Sequence, residues 1–167
     1  MLATVHPRLA RVKARYPGRR PVIRMDAQKN KALIRRLYEE VYANWDLGVL
    51  DELIAGDFVG HGAPPGTPPG PAGVRQFYAW LRAAFPDIRY SVEDLVAEGD
   101  KVVVRWRWRG THQGEYYGIP PSGKPVTATG IAIYRIAGGK CVERWVGFNA
   151  LGVLQQLGAT IRGAGQS

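Results

Sequence analysis

Three consecutive stretches decide the fold of this chain: KVVVRWRWRGTHQ (residues 101–113), KPVTATGIAIYRI (124–136) and KCVERWVGF (140–148). In the first stretch, valines and tryptophans alternate with the arginines at positions 105, 107 and 109. A period of two is typical of a β-strand with one buried and one exposed face. A loop and a glycine turn connect the stretches. They are therefore predicted to form an antiparallel sheet whose apolar face is covered by the rest of the chain.

Helices predicted on both sides of these strands supply that cover. Asp26 fits the N-cap of a first helix, in which residues 33–45 carry an apolar stripe. A short helix (49–54) and a brief strand (57–61) follow. After a proline-rich loop, Pro71 fits the first turn of another amphipathic helix.

The remaining elements complete a single α+β domain. Residues 88–92 alternate as a strand that turns into 101–113, and Asn149 fits the N-cap of a last helix, ALGVLQQL. The element order predicts a cone-shaped, curved antiparallel sheet wrapped around helices, with a pocket between them. We assign this domain to residues 26–160, between a basic N-terminal extension (1–25) and a C-terminal tail (161–167).

The composition is that of an ordinary globular chain. It has 167 residues, of which 46% are apolar and 22% are charged. No apolar run is long enough for a membrane helix and no signal-like segment is present, so we expect a cytoplasmic protein without a membrane partner. The single cysteine, Cys141, excludes an internal disulfide, and its place in a strand predicts a buried, inert thiol.

The basic charge is concentrated in the extension. Residues 1–25 contribute +7 of the net charge of +9, which leaves +2 for the rest of the chain. The extension could contact phosphates or anionic lipid, or it could be a poorly packed segment. Strand alternation separates the tryptophans of residues 101–113 from the arginines, so no stacking platform for nucleic acid is expected.

Two segments carry a family resemblance: GTHQGEYYGIPPSGKPVTATGIAIYRIAGGKCVERW (110–145) and ALGVLQQLG (150–158). They resemble the SnoaL-like polyketide cyclases, also called ester cyclases, of the nuclear-transport-factor-2-like fold. The resemblance extends over roughly residues 28–158. It implies a barrel that admits a small apolar organic molecule and a homodimer formed through the outer sheet face. It also implies ring closure by an intramolecular aldol reaction without metal or organic cofactor.

The acid/base residues of the founding cyclases are missing from this sequence. Those enzymes are known for an inward aspartate that is assisted by a histidine and an asparagine. Matched segment by segment, the three positions fall on Val146, Ala132 and Gly60. The resemblance therefore implies the fold but not the founding mechanism.

Two histidines are the candidate catalytic residues, because ring closure needs a base beside the carbonyl and a donor for the enolate oxygen. His61 follows a glycine at the expected barrel mouth, and His112 lies at a strand end in the family segment. Each could instead have a structural role, such as tying the loop after His112 to the sheet.

If Val146 and Ala132 point inward, as the resemblance implies, strand alternation places Arg144, Tyr134 and Phe148 inward as well. An inward Arg144 could hold a carboxylate or enolate, or could pair with a carboxylate such as Glu115. The other predicted lining residues are Tyr38, Trp80, Trp106, Trp108, Tyr116, Tyr117, Tyr134, Val146 and Phe148. Ile131 and Ile133 point outward on the same alternation, which is typical of a dimer interface.

Other site types do not fit the sequence. GIPPSGK (118–124) has the spacing of a phosphate loop, but its prolines remove the amides that would bind phosphate. The scattered histidines and single cysteine do not form a metal ligand set, and no nucleophile elbow is present. We therefore expect a cofactor-independent enzyme that performs acid/base chemistry on an apolar, carbonyl-bearing substrate. The alternative is a non-catalytic ligand-binding or dimerisation module of the same fold.

Overall fold

The computed structural model describes residues 24–160, so most of the predicted extension and the whole C-terminal tail lie outside the described residues. The described elements, in chain order, are α1 (Arg24–Arg36), a π-helical continuation (Leu37–Ala43), a 3₁₀ turn (Leu47–Val49), α2 (Leu50–Leu53), β1 (Ile54–His61), α3 (Gly70–Ala84), β2 (Arg89–Glu98), β3 (Lys101–Thr111), β4 (Pro125–Ala137), β5 (Lys140–Phe148) and α4 (Ala150–Gln156). The predicted α+β class is confirmed.

The five strands form one curved sheet in the order β1-β5-β4-β3-β2. Strands β2 to β5 pair antiparallel, as predicted, whereas β1 pairs parallel with β5 and makes the sheet mixed. Between β1 and β2 the chain passes through α3, which carries it from one sheet edge to the other. Irregular register between β2 and β3 and between β4 and β5 adds bends that curve the sheet.

The predicted alternation of β3 is confirmed. Val102, Val104, Trp106 and Trp108 are at most 5% exposed, and the intervening arginines lie on the exposed face. The same alternation in β4 buries Ala132 and Tyr134 and exposes Ile131. The inner face of the sheet is therefore apolar and aromatic, and the outer face carries arginines and isoleucines.

The helices cover that inner face. The π-helical segment after α1 buries Leu37, Tyr38, Val41 and Tyr42 together, so its tyrosines face the sheet. Helix α1 begins at Arg24, so Asp26 lies inside it and does not start it as predicted. Helix α2 is shorter than predicted, because the chain is already extended at Ile54.

The last helix and the cysteine follow the sequence prediction. The Asn149 side chain accepts a hydrogen bond of 2.8 Å from the Gly152 amide and caps α4. Cys141 is buried in β5, and burial raises the pKa of its thiol to about 12. None of the helices within residues 24–160 is both long enough and apolar enough to cross a membrane.

Candidate functional site

A narrow inner cavity lies between the sheet and the helices. Its volume is about 60 Å³, and one water needs roughly 10–15 Å³ measured in the same way. It therefore has room for a small group of a few atoms. Its lining is Tyr38, Phe77, Tyr78, Leu81, Tyr90, Trp106, Trp108, Tyr116, Ala132, Tyr134, Arg144, Val146 and Phe148.

The inner cavity opens into a larger outer cleft of about 420 Å³. The two spaces share six lining residues, which are Phe77, Tyr78, Tyr116, Arg144, Val146 and Phe148. The proline-rich loop forms another wall of the cleft, and Trp80 and Tyr117 line it as well. A guest could therefore place a small end in the cavity and a larger apolar body in the cleft.

The ten predicted substrate-binding residues all line the cavity, the cleft or both. For the strand residues among them, this placement agrees with the predicted alternation. Binding by these residues is itself still a prediction. Sequence reasoning also named Glu115 as a partner for Arg144, but Glu115 is exposed and lines an adjoining cleft beside Tyr117.

The positions that match the founding acid/base set lie at the same site. Ala132 and Val146 are direct register partners on β4 and β5, and both line the inner cavity. Gly60 lines the outer cleft and is paired in register with Arg144. These positions therefore place two small residues and a valine where the founding cyclases are known for ionisable or amide groups.

Arg144 is the cation at the junction between cavity and cleft. Its Nε is buried and has no hydrogen-bond partner among residues 24–160, and its guanidinium carbon lies 6.0 Å from the centroid of the Phe77 ring. No carboxylate within residues 24–160 forms an ion pair with it. Burial lowers the pKa of Arg144, but neighbouring tyrosines, led by Tyr134 and Tyr78, raise it to a net value above the ordinary one. The guanidinium therefore remains charged at neutral pH.

Five tyrosines that pack against one another lie close enough to this cation to interact with it electrostatically, namely Tyr38, Tyr42, Tyr78, Tyr90 and Tyr134. The rings of Tyr42 and Tyr78 stack with centroids 4.2 Å apart, and the Tyr134 hydroxyl donates to the Tyr38 hydroxyl over 3.4 Å. Burial raises the pKa of Tyr38, Tyr42 and Tyr78 well above the ordinary tyrosine value. These hydroxyls are therefore protonated donors at neutral pH.

Sequence reasoning missed three members of this cluster, Tyr42, Tyr78 and Tyr90. They were assigned to the apolar stripes of two helices and one strand. The available signal was chemical: three separate elements carry tyrosine, and not phenylalanine, at inward positions. A phenol needs a polar partner when it is buried, so repeated tyrosine predicts a polar interior.

His61 lies on the outer face of the sheet. It is the register partner of Trp145, on which its ring stacks at a centroid distance of 4.9 Å, and its Nε2 lies 2.7 Å from Glu143 Oε1. It lines neither the cavity nor the cleft. Its predicted placement in the pocket is therefore wrong, because β1 pairs in parallel with β5 and aligns His61 with an outward residue.

His112 is fully buried behind the end of β3 and is also absent from the lining of cavity and cleft. The Ser122 amide donates to its Nδ1 over 3.3 Å, and Ser122 Oγ lies 3.0 Å from the same atom. This pattern assigns the ring proton to Nε2. His112 ties the following loop to the sheet, which is the structural alternative weighed from the sequence.

Comparisons with known proteins agree with this architecture. A model of the SnoaL-like polyketide cyclase family matches residues 32–157. IdmH from Streptomyces antibioticus, described as a candidate polyketide cyclase, is 38% identical with a TM-score of 0.68, and the match covers 78% of this chain and 99% of that chain. A candidate polyketide cyclase from Acidithiobacillus ferrooxidans is 32% identical with a TM-score of 0.69, covering 77% of this chain and 94% of that one.

A third similar structure has a different description. AclR, a candidate hydroxylase from Streptomyces galilaeus, is 29% identical with a TM-score of 0.68, and the match covers 79% of this chain and 82% of that chain. A comparison with curated proteins gives no match. The family match extends over most of the folded domain, and the cavity, the cleft and the mixed sheet lie within it. The chain belongs to the SnoaL-like polyketide cyclase family.

Proposed function

We propose that this protein is a small-molecule enzyme of the cyclase type, which performs proton-transfer chemistry on an apolar, carbonyl-bearing substrate without metal or organic cofactor. The observation that carries the proposal is Arg144, a charged guanidinium with a buried, unpartnered Nε where an aromatic cavity meets an open cleft. A cation that forms no ion pair with the described part of the chain suits, in such a place, a substrate on which negative charge develops. Similar structures described as candidate polyketide cyclases support the reaction class.

The lining residues would provide the electrophilic half of the reaction. Removal of a proton next to a carbonyl leaves an enolate, whose oxygen Arg144 would stabilise by charge. A protonated tyrosine hydroxyl, such as that of Tyr38 or Tyr78, would add a hydrogen bond. Apolar walls exclude water and strengthen both interactions.

Removal of the proton requires a base, and bases in such reactions are usually carboxylates or imidazoles. Within residues 24–160, the cavity and the outer cleft are lined by neither a carboxylate nor an imidazole. A substrate whose proton lies between two carbonyls suits this site, because water or the substrate's own basic group can accept so acidic a proton. Catalysis by His61 or His112 remains a prediction from the sequence, and the placement of both side chains does not favour it.

Turnover of a panel of aromatic β-keto esters tests the proposal. We expect Arg144→Met to lower kcat/KM about 100-fold, the loss typical of one oxyanion donor. Arg109→Met removes the same charge from the exposed face of β3 and should leave kcat/KM unchanged. His61→Ala and His112→Ala test the histidine prediction in parallel. Full activity of Arg144→Met would contradict the role proposed for the cation.

A non-catalytic ligand-binding module is the second candidate, and the missing base in the lining favours it. Under this alternative the wild-type protein binds β-keto esters without consuming them.

A homodimer through the outer sheet face is also proposed, because Ile131 is 52% and Ile133 is 36% exposed there. Light scattering gives the molar mass of the wild type and of Ile131→Lys in solution. We expect a dimer for the wild type and a monomer for the variant, and a monomeric wild type would contradict the proposed dimer. A cytoplasmic location remains the expectation from the sequence.

A further inference from the structure

The adjoining cleft beside Tyr117 is a second aromatic space, with a volume of about 440 Å³. It lies between the proline-rich loop, α3 and the loop that follows β3. Among the described residues that line it, Glu115 is the only charged one. The other members of the lining are Pro64, Pro65, Gly66, Thr67, Gln76, Phe77, Trp80, Tyr117 and Gly118.

Glu115 gives this cleft a negative charge that the protein does not neutralise. The carboxylate is exposed and forms no ion pair with any residue in the range 24–160. The lining contains no described lysine or arginine. A carboxylate and the faces of aromatic rings both attract an organic cation, so their combination in one cleft suits a positively charged ligand.

The aromatic rings are arranged as two walls. Trp80 stacks on the buried Tyr116 with ring centroids 5.1 Å apart, and this contact fixes the indole. Tyr117 meets Trp80 at a centroid distance of 5.3 Å and an interplanar angle of 80°. Both rings are accessible, since Trp80 is 37% and Tyr117 is 64% exposed. Two rings at nearly a right angle can both lie within about 6 Å of one cation.

The backbone holds Tyr117 in an unfavourable conformation. Tyr116 and Ile119 exchange two backbone hydrogen bonds of 3.0 and 3.1 Å, and the two residues between them have positive φ, +49° at Tyr117 and +76° at Gly118. This is the pattern of a type I′ turn, which favours Asn, Asp or Gly at both central positions. A strained tyrosine whose side chain is mostly exposed gains little from packing, so its ring is better explained by a ligand.

We infer that the adjoining cleft binds an organic ammonium group, such as a trimethylammonium, on a small molecule. Trp80 and Tyr117 contact the methyl groups, and Glu115 supplies the opposite charge. The apolar body of the molecule extends into the outer cleft, because the two clefts share Pro64, Pro65, Thr67, Phe77, Trp80 and Tyr117. Arg144 repels a cation in the outer cleft, so the ammonium end is confined to Glu115. The inference goes beyond the proposed function, since it requires binding and no turnover.

Isothermal titration at pH 6.5 with two probes tests the inference. The probes are (3-hydroxyphenyl)trimethylammonium and 3-tert-butylphenol, which have nearly the same shape and differ by one positive charge. We expect the wild type to bind the ammonium at least about ten-fold more tightly than the neutral phenol, from cation–π contact and charge together. High salt should reduce this difference, because it screens the exposed Glu115.

Variants separate the carboxylate from the aromatic ring. Glu115→Gln should weaken ammonium binding about 5-fold and leave the affinity for 3-tert-butylphenol within about two-fold. Glu39→Gln removes a charge from an exposed position outside this cleft and should change neither affinity. Tyr117→Asn keeps a residue that the turn favours but removes the ring, and should weaken ammonium binding about 5-fold. Tyr117→Phe keeps the ring and should bind the ammonium as the wild type does. All four side chains are exposed, so each variant should retain the wild-type Tm.

Several results would overturn the inference: equal affinity of the wild type for the two probes, equal weakening of both probes in Glu115→Gln, or no ammonium binding at millimolar concentration. Loss of ammonium binding in Tyr117→Phe as large as in Tyr117→Asn would also contradict it. If β-keto esters are converted while the ammonium binds no better than the phenol, the proposed function stands and the ammonium site fails. If the ammonium binds as described and no ester is converted, the ammonium site stands and the proposed function fails.

Discussion

Gly130→Ala should destabilise the protein by forcing the Trp106 indole out of place. The new Cβ would lie 2.7 Å from Trp106 Cε2 and 2.8 Å from the Gly147 carbonyl oxygen, whereas non-bonded carbons prefer about 3.5–4.0 Å. Overpacking of this kind costs about 2 kcal/mol. In a chain of this size, that cost lowers Tm by about 4–8 °C. Thermal and urea unfolding followed by circular dichroism would measure both quantities.

Gly147 provides the matched control in the neighbouring strand. A Cβ on Gly147 would have no heavy atom within 4 Å, so Gly147→Ala should be neutral or stabilising by about 0.5 kcal/mol through lower backbone entropy. Trp106→Phe removes the indole atoms that a Cβ at position 130 would meet. In the double variant Gly130→Ala/Trp106→Phe, the loss in free energy of unfolding should therefore be smaller than the sum of the losses in the two single variants, by at least about 1 kcal/mol. Additive effects, or a Gly130→Ala protein as stable as wild type, would refute the packing described for Trp106.

Two further substitutions and one labelling reaction test other contacts of the fold. Hydrogen bonds from the Thr111 amide and hydroxyl lower the pKa of Asp87, so Asp87→Ala should cost about 1 kcal/mol at pH 7. In urea titrations this deficit should shrink progressively as the pH falls from about 4, the ordinary pKa of an aspartate, towards the lowered pKa of Asp87. Gln156 exchanges two hydrogen bonds with the Thr127 backbone, and Gln156→Ala should lower Tm by about 3–6 °C. Cys141, with its thiol pKa raised to about 12, should react with a thiol reagent at pH 8 only after unfolding.

Contradicting results are equally specific. An Asp87→Ala deficit that persists unchanged at pH 3 would show that the carboxylate is not the stabilising form. An unchanged Tm in Gln156→Ala would mean that the contact of α4 with β4 contributes nothing. Rapid labelling of native Cys141 would place the thiol at the surface.

The fold was predictable because its determinants are local. Alternating Trp106 and Arg107 orient β3, and Asn149 marks the start of α4. The parallel pairing of β1 with β5 was not predictable, because it joins residues more than 80 positions apart and depends on the path of α3 across the sheet. The face on which His61 lies follows from that pairing, so its placement was missed as well.

The site was predictable where it depended on strand alternation. Alternation placed Arg144 and Trp106 inward, and both line the cavity. The unsatisfied Nε of Arg144 could not be foreseen, since the lack of a partner depends on which side chains meet in three dimensions. The same holds for Glu115, a carboxylate that sequence reasoning considered as a partner for Arg144 and that folding places on another cleft.

A crystal structure of the protein with naphthalene-2-carboxylate tests the role proposed for Arg144 as the cation of the site most directly. We predict a carboxylate oxygen within about 3 Å of a guanidinium nitrogen of Arg144, with the ring in the outer cleft. A water molecule at the Arg144 guanidinium, with the carboxylate turned to solvent or bound elsewhere, would contradict it.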